Sequence, residues 1–142
     1  MITSAEWRIM AIVWANRSIE AINIYRTLEE ELQWSLSTVK TLLARLVKKG
    51  YLTTEKQGKT YLYFATVNKE NMVYQKVQHD IQLLCHKKKA QLIYRLLDDI
   101  PMSKKDIYCL MDKLHGHIEH APEQIVCCCP KGQCTCCPIE KE

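Results

Sequence analysis

The stretch around Gly50 constrains this chain most, because the spacing of its apolar residues changes there from a helical period to a period of two. Before Gly50, Val39, Leu42, Leu43 and Leu46 recur at i, i+3, i+4 and i+7, one face of a helix that Ser35 can cap and Gly50 can stop. After it, Tyr51 to Lys56 and Lys59 to Phe64 are β-rich runs separated by Gln57 and Gly58, which predicts a hairpin. Upstream, Thr3 and Glu6 have the spacing of a capping box for a first helix with Trp7, Met10, Ala11 and Trp14 as its core stripe, ending at Asn16-Arg17. A second helix is expected from about Ser18 to Leu32, with Ile24, Tyr25, Leu28 and Leu32 inward. Three helices followed by a hairpin predict a winged helix-turn-helix head over residues 1–67, in a fold that is mainly α with a small β wing.

The exposed face predicted for the third helix carries Ser37, Lys40, Thr41, Ala44, Arg45 and Lys48. Short polar side chains toward its start can approach base edges, and cations toward its end can grip phosphates. Net charge is only +4, but residues 34–66 carry Lys40, Arg45, Lys48, Lys49, Lys56 and Lys59 against Glu55 alone. A basic face is often just solvated surface; the basic-tipped hairpin and the local charge favour double-stranded DNA as the partner. Ser35, Ser37, Thr38, Lys40, Thr41, Arg45, Lys48, Lys49, Lys56 and Lys59 are the candidate DNA-binding residues. Arg45 and Lys48 suit phosphate, and base readout falls mainly to Ser37, Lys40 and Thr41.

Beyond Asn68 the helical period returns in three short stripes: Val73, Val77, Ile81, Leu84; Leu92, Ile93, Leu96, Leu97; and Ile107, Leu110, Met111, Leu114. Pro101 separates the last two, and Ser103 with Asp106 signals the next start. Three amphipathic helices after a small head have little partner surface in their own chain, so residues 68–118 are expected to form a helical dimerisation region and the protein a homodimer. The helix signal fails from Gly116, and residues 119–142 read as an irregular, cysteine-rich tail.

Six of the eight cysteines lie between Cys127 and Cys137; Cys85 and Cys109 stand apart in helical-looking surroundings and are read as buried structural residues. The N-terminus lacks a signal-peptide pattern and no long apolar span occurs, so the expected location is the cytoplasm, with no membrane partner. There thiols stay reduced, and adjacent cysteines make poor disulfides, so the cluster reads as a soft-metal site. Cys127, Cys129, Cys134 and Cys136 form a Cys-x-Cys, four residues, Cys-x-Cys array that Pro130 to Gln133 can fold back on itself. Convergent thiolates suit zinc(II) and, with surplus sulfur for bridging, copper(I). His115, His117 and His120 lie just upstream and read as exposed helix-end residues in preference to ligands. A metal buffer would explain the thiols but not the head, and a structural zinc site would explain the tail without sensing. No cysteine and histidine pair has a recognisable catalytic context, so no enzymatic activity is expected.

On the start Ile2 to Trp7, the stretch Thr38 to Lys49, the wing, the helical arm and the cysteine array, the sequence resembles the CopY-type copper-responsive repressors of the penicillinase repressor family. The resemblance implies a zinc-loaded dimer on a palindromic operator of copper-export genes, released when copper(I) displaces zinc, with a copper chaperone as candidate donor. By position it assigns metal ligation to Cys127, Cys129, Cys134 and Cys136. Cys128 and Cys137 depart from the family pattern and are possible additional ligands.

Overall fold

Thr3 opens the first helix as its spacing predicts. In the computed structural model, which describes residues 1–139, α1 spans Ser4–Ala15; the Thr3 hydroxyl accepts the Glu6 N–H and the Glu6 carboxylate accepts the Thr3 N–H at 2.7 Å. The buried face of α1 is Glu6, Ile9, Met10 and Val13, one residue out of phase with the expected Trp7, Met10, Ala11, Trp14 stripe. This helix is apolar on more than one side, and tryptophan is too large to be enclosed readily. Trp7 and Trp14 are half-buried instead, 5.4 Å apart, and the Trp14 indole donates to the Val67 carbonyl.

The expected second helix is shorter at its start: Ile19–Glu20 form β1, and α2 is Ala21–Leu32. A two-residue strand has no period of its own, and its pairing partners, Tyr63 and Leu62, lie more than forty residues away. Gln33 ends α2 in the left-handed region at φ 52°, Ser35 caps α3 (Leu36–Lys48), and Val39, Leu42, Leu43 and Leu46 are buried as the sequence predicts. The end of α3 is a Schellman motif, with Gly50 at φ 83°, its N–H on the Val47 carbonyl and the Tyr51 N–H on Leu46. The chain then enters β2 (Leu52–Gln57) and β3 (Thr60–Ala65), which pair in register from Leu52 with Ala65 to Gln57 with Thr60. The two-residue turn is therefore Gly58-Lys59, one position later than the sequence suggested, with positive φ at the glycine. The antiparallel sheet has the order β1-β3-β2 and makes the expected hairpin three-stranded. Its base and the three helices enclose one core, including Ile9, Met10, Ile24, Leu43 and Leu46.

The chain divides into two compact units, Met1–Lys76 and the residues from Val77 onward, with α4 (Lys69–Ile81) running through the boundary. The second unit contains α5 (His86–Asp99) and α6 (Lys104–Ile118), the latter opened by the Ser103/Asp106 capping box. Among the described residues of this unit, Cys85 is the one buried side chain. Ile93, Leu97, Ile107, Leu110, Met111 and Leu114 remain 41–63% exposed and line a groove of about 300 Å³.

Candidate nucleic-acid interface and metal centre

The basic face is positioned by the burial of its opposite side. With Val39, Leu42, Leu43 and Leu46 in the core, Ser37, Lys40, Thr41, Arg45 and Lys48 are all exposed. Ser35 accepts the Thr38 N–H at 3.1 Å and the two hydroxyls are 2.9 Å apart, so both residues fix the start of α3. The Thr41 hydroxyl donates to the Ser37 carbonyl at 3.0 Å, and its oxygen can still accept a hydrogen bond. Lys40 from α3 and Lys59 from the hairpin turn line one open cavity of about 390 Å³ with Glu20, Tyr61 and Tyr63, while Lys56 is exposed on β2. Lys49 is employed differently: its ammonium lies 2.8 and 2.9 Å from the Glu6 carboxylate oxygens and 3.3 Å from the Met1 carbonyl. Burial pushes the Glu6 carboxyl up, but the hydrogen bonds from Lys49 and Thr3 outweigh it and hold the group below its ordinary range.

In the second unit the tail folds back at Pro130 to Gln133, where the Gln133 N–H reaches the Pro130 carbonyl and the Gly132 N–H reaches the Cys137 carbonyl at 2.6 Å. Gly132 has φ 83°, a conformation that favours glycine, and a Cβ there would also press on the Ile139 side chain. The sulfurs converge. Cys127 lies 3.4 Å from Cys134 and 3.8 Å from Cys137, and Cys134 lies 3.4 Å from Cys137. Cys85, from the connector between α4 and α5, lies 3.5 Å from Cys127 and 4.0 Å from Cys136.

The ligand atoms of Cys85, Cys127, Cys129 and Cys134 all fall within 4.8 Å of one another. A zinc–sulfur bond of about 2.3 Å gives a tetrahedral sulfur–sulfur edge of about 3.8 Å, so the donor set fits a metal ion. Hydrogen bonding to Cys127 and Cys137, and backbone N–H groups, pull the Cys134 thiol down to about 6. The nearby Lys87 N–H lowers Cys85. Burial pushes Cys129 up and raises Cys136 to about 11, and the hydrogen bond to Cys134 takes Cys137 to about 12. Cys134 is thus the most acidic of these thiols and Cys85 is lowered beside it, and binding a soft cation here would displace thiol protons.

Two sequence readings change. Cys109 is exposed on α6, and Cys85, though buried, has other thiols as its neighbours and lies in a turn outside the helices. Helical-looking flanks cannot distinguish a residue within a helix from one at its cap. Of the four tail cysteines expected to converge, Cys127, Cys129 and Cys134 share one group with Cys85; Cys136 lies 4.0 Å from Cys85, Cys137 lies within 3.8 Å of both Cys127 and Cys134, and Cys128 is exposed. His115, His117 and His120 are exposed on and just beyond the last turn of α6. The ion pair between Glu6 and Lys49 had no sequence signal beyond the capping spacing.

A family model described as the penicillinase repressor matches residues 2–116. The uncharacterised 16.5 kDa protein in the ptsI 3′ region of Latilactobacillus sakei is 38% identical over 141 residues, covering 99% of this chain and 94% of that protein. The methicillin resistance regulatory protein MecI of Staphylococcus aureus, strain N315, is 36% identical over 73 residues, 51% of this chain and 59% of that protein. Among solved structures, the CopR repressor is 41% identical over 48% of this chain and 99% of its own, with a TM-score of 0.42. With its family match running from the first helix through nearly all of α6, the chain belongs to the penicillinase repressor family.

Proposed function

We propose that the protein is a dimeric, metal-responsive repressor whose third helix reads operator DNA and whose tail thiols govern release. The observation that carries this reading is the convergence of tail sulfurs at 3.4–3.8 Å in a chain that also presents an exposed basic helix face beside a β wing. In this reading Ser37, Lys40 and Thr41 reach base edges, Arg45 and Lys48 grip flanking phosphates, and Lys56 and Lys59 hold the backbone beside the groove. Ser35 and Thr38 present the N-terminus of α3 to a phosphate. Lys49, engaged by Glu6, stands outside this set. The apolar stripes of α5 and α6 bury against a second copy, which makes the operator a palindrome.

Cys127, Cys129, Cys134 and Cys136, with Cys128 and Cys137 available, would hold either zinc(II) in a four-coordinate site or copper(I) in a thiolate-bridged cluster. Bound metal supplies strong thiolate bonds that fix the tail in one of two arrangements. The zinc-held arrangement favours the dimer bound to the operator of copper-export genes, and uptake of copper(I) releases it. A roughly 100-fold change in operator affinity requires about 2.7 kcal/mol of coupling, which metal–thiolate bonding can supply.

Fluorescence anisotropy on an operator fragment at fixed salt, with zinc-loaded and copper(I)-loaded protein, tests the reading. Tight binding by the zinc form alone is expected, with the difference lost in C134S and C136S. Equal binding by both metal forms would refute metal sensing, and absence of specific binding would refute the repressor reading.

A further inference from the structure

We infer that Cys85 is a metal ligand, so that the centre is built jointly from the connector between α4 and α5 and the C-terminal tail. The inference rests on the tail's being a metal centre and gives Cys85 the fourth position that a tail-only zinc site would give Cys136. Cys85 Sγ lies 3.5 Å from Cys127 and completes, with Cys129 and Cys134, a group whose sulfurs all lie within 4.8 Å of one another. Four sulfurs at that spacing are one tetrahedral site, for which a thiophilic divalent ion such as zinc(II) is the natural occupant. Burial distinguishes Cys85 from the other cysteine outside the tail: Cys85 is 6% exposed, while Cys109 on α6 is open to solvent.

Charge points the same way. The first turn of α5 holds no acidic residue and begins His86-Lys87-Lys88-Lys89, a cationic run at the positive end of a 14-residue helix. That placement is unfavourable without negative charge nearby. A divalent ion bound by four thiolates carries a net charge of about −2, and beside Cys85 it offsets both the lysines and the helix end. Cys136, 4.0 Å from Cys85, and Cys137, 3.4 Å from Cys134, remain at the edge of this site as donors for the larger sulfur demand of a copper(I) cluster.

Loading the full chain with NMR-active cadmium and recording proton–cadmium correlations identifies the ligands directly. The expected result is coupling of bound cadmium to the Cβ protons of Cys85, Cys127, Cys129 and Cys134. Correlations confined to tail cysteines would overturn the inference and leave the tail centre standing; failure to bind cadmium would remove both. In C85S, with helix content retained by circular dichroism, zinc affinity should fall by more than the about 10–100-fold typical of outer-shell changes, while C109S matches wild type. Unchanged zinc affinity in folded C85S would also overturn it, and should C85S not fold, the cadmium experiment decides.

Discussion

The contact between Glu6 and Lys49 joins two unequal partners. The Glu6 side chain is 1% exposed and the Lys49 side chain 37%, so the lysine can return to water while the carboxylate cannot. Removing the lysine leaves the buried carboxylate without its counter-charge, with the Thr3 N–H as its remaining partner. Lys49→Ala is therefore expected to cost about 3 kcal/mol in urea unfolding, and Glu6→Gln distinctly less. Because the folded Glu6 carboxyl is held below its ordinary range, its contribution is present above the unfolded pKa and lost as pH falls through the folded one. Wild type should lose stability on acidification more steeply than Glu6→Gln, measured by unfolding midpoints along a pH series. On the exposed face, Lys40→Ala should narrow the gap between operator and random DNA by about 1–3 kcal/mol, whereas Lys56→Ala should weaken both alike and reduce the salt slope by about 1. Equal losses on both DNAs from Lys40→Ala would remove it from base readout.

Single elements differ in how openly the sequence announced them. Helix α3 was legible in full, because Ser35, the Val39 to Leu46 stripe and Gly50 all signal the same segment. The wing was legible as a hairpin, but the turn shifted by one residue because either Gln57-Gly58 or Gly58-Lys59 satisfies the local chemistry; pairing with β3 decides it. Strand β1 and the position of Cys85 were hidden for one reason: both acquire meaning only from partners more than forty residues away. The glycines separate the same way. At Gly58 an added Cβ meets nothing within 4 Å, so Gly58→Ala should cost only the positive-φ strain of about 1–2 kcal/mol in head stability. Gly132→Ala adds a collision with Ile139 and should weaken zinc binding, read by chelator competition, while leaving the unfolding of the head unchanged.

At the scale of the whole molecule, the contrast between the two units governs behaviour. The head closes a core of its own, whereas α5 and α6 leave their stripes open. Leu110→Asp should remove about 2 kcal/mol of burial from each protomer of the proposed dimer, shifting sedimentation toward monomer and weakening operator binding with it. An unchanged sedimentation profile would refute dimerisation through α6. Those same helices lie inside the span between Cys85 and Cys127, residues separated by 42 positions whose sulfurs are 3.5 Å apart. A metal ion held by both, as inferred above, would close that span into a ring, much as a disulfide would. Closing a ring of this size removes unfolded-chain entropy worth on the order of 4 kcal/mol, so the metal would act as a staple for the half of the chain that has the least core to hold it.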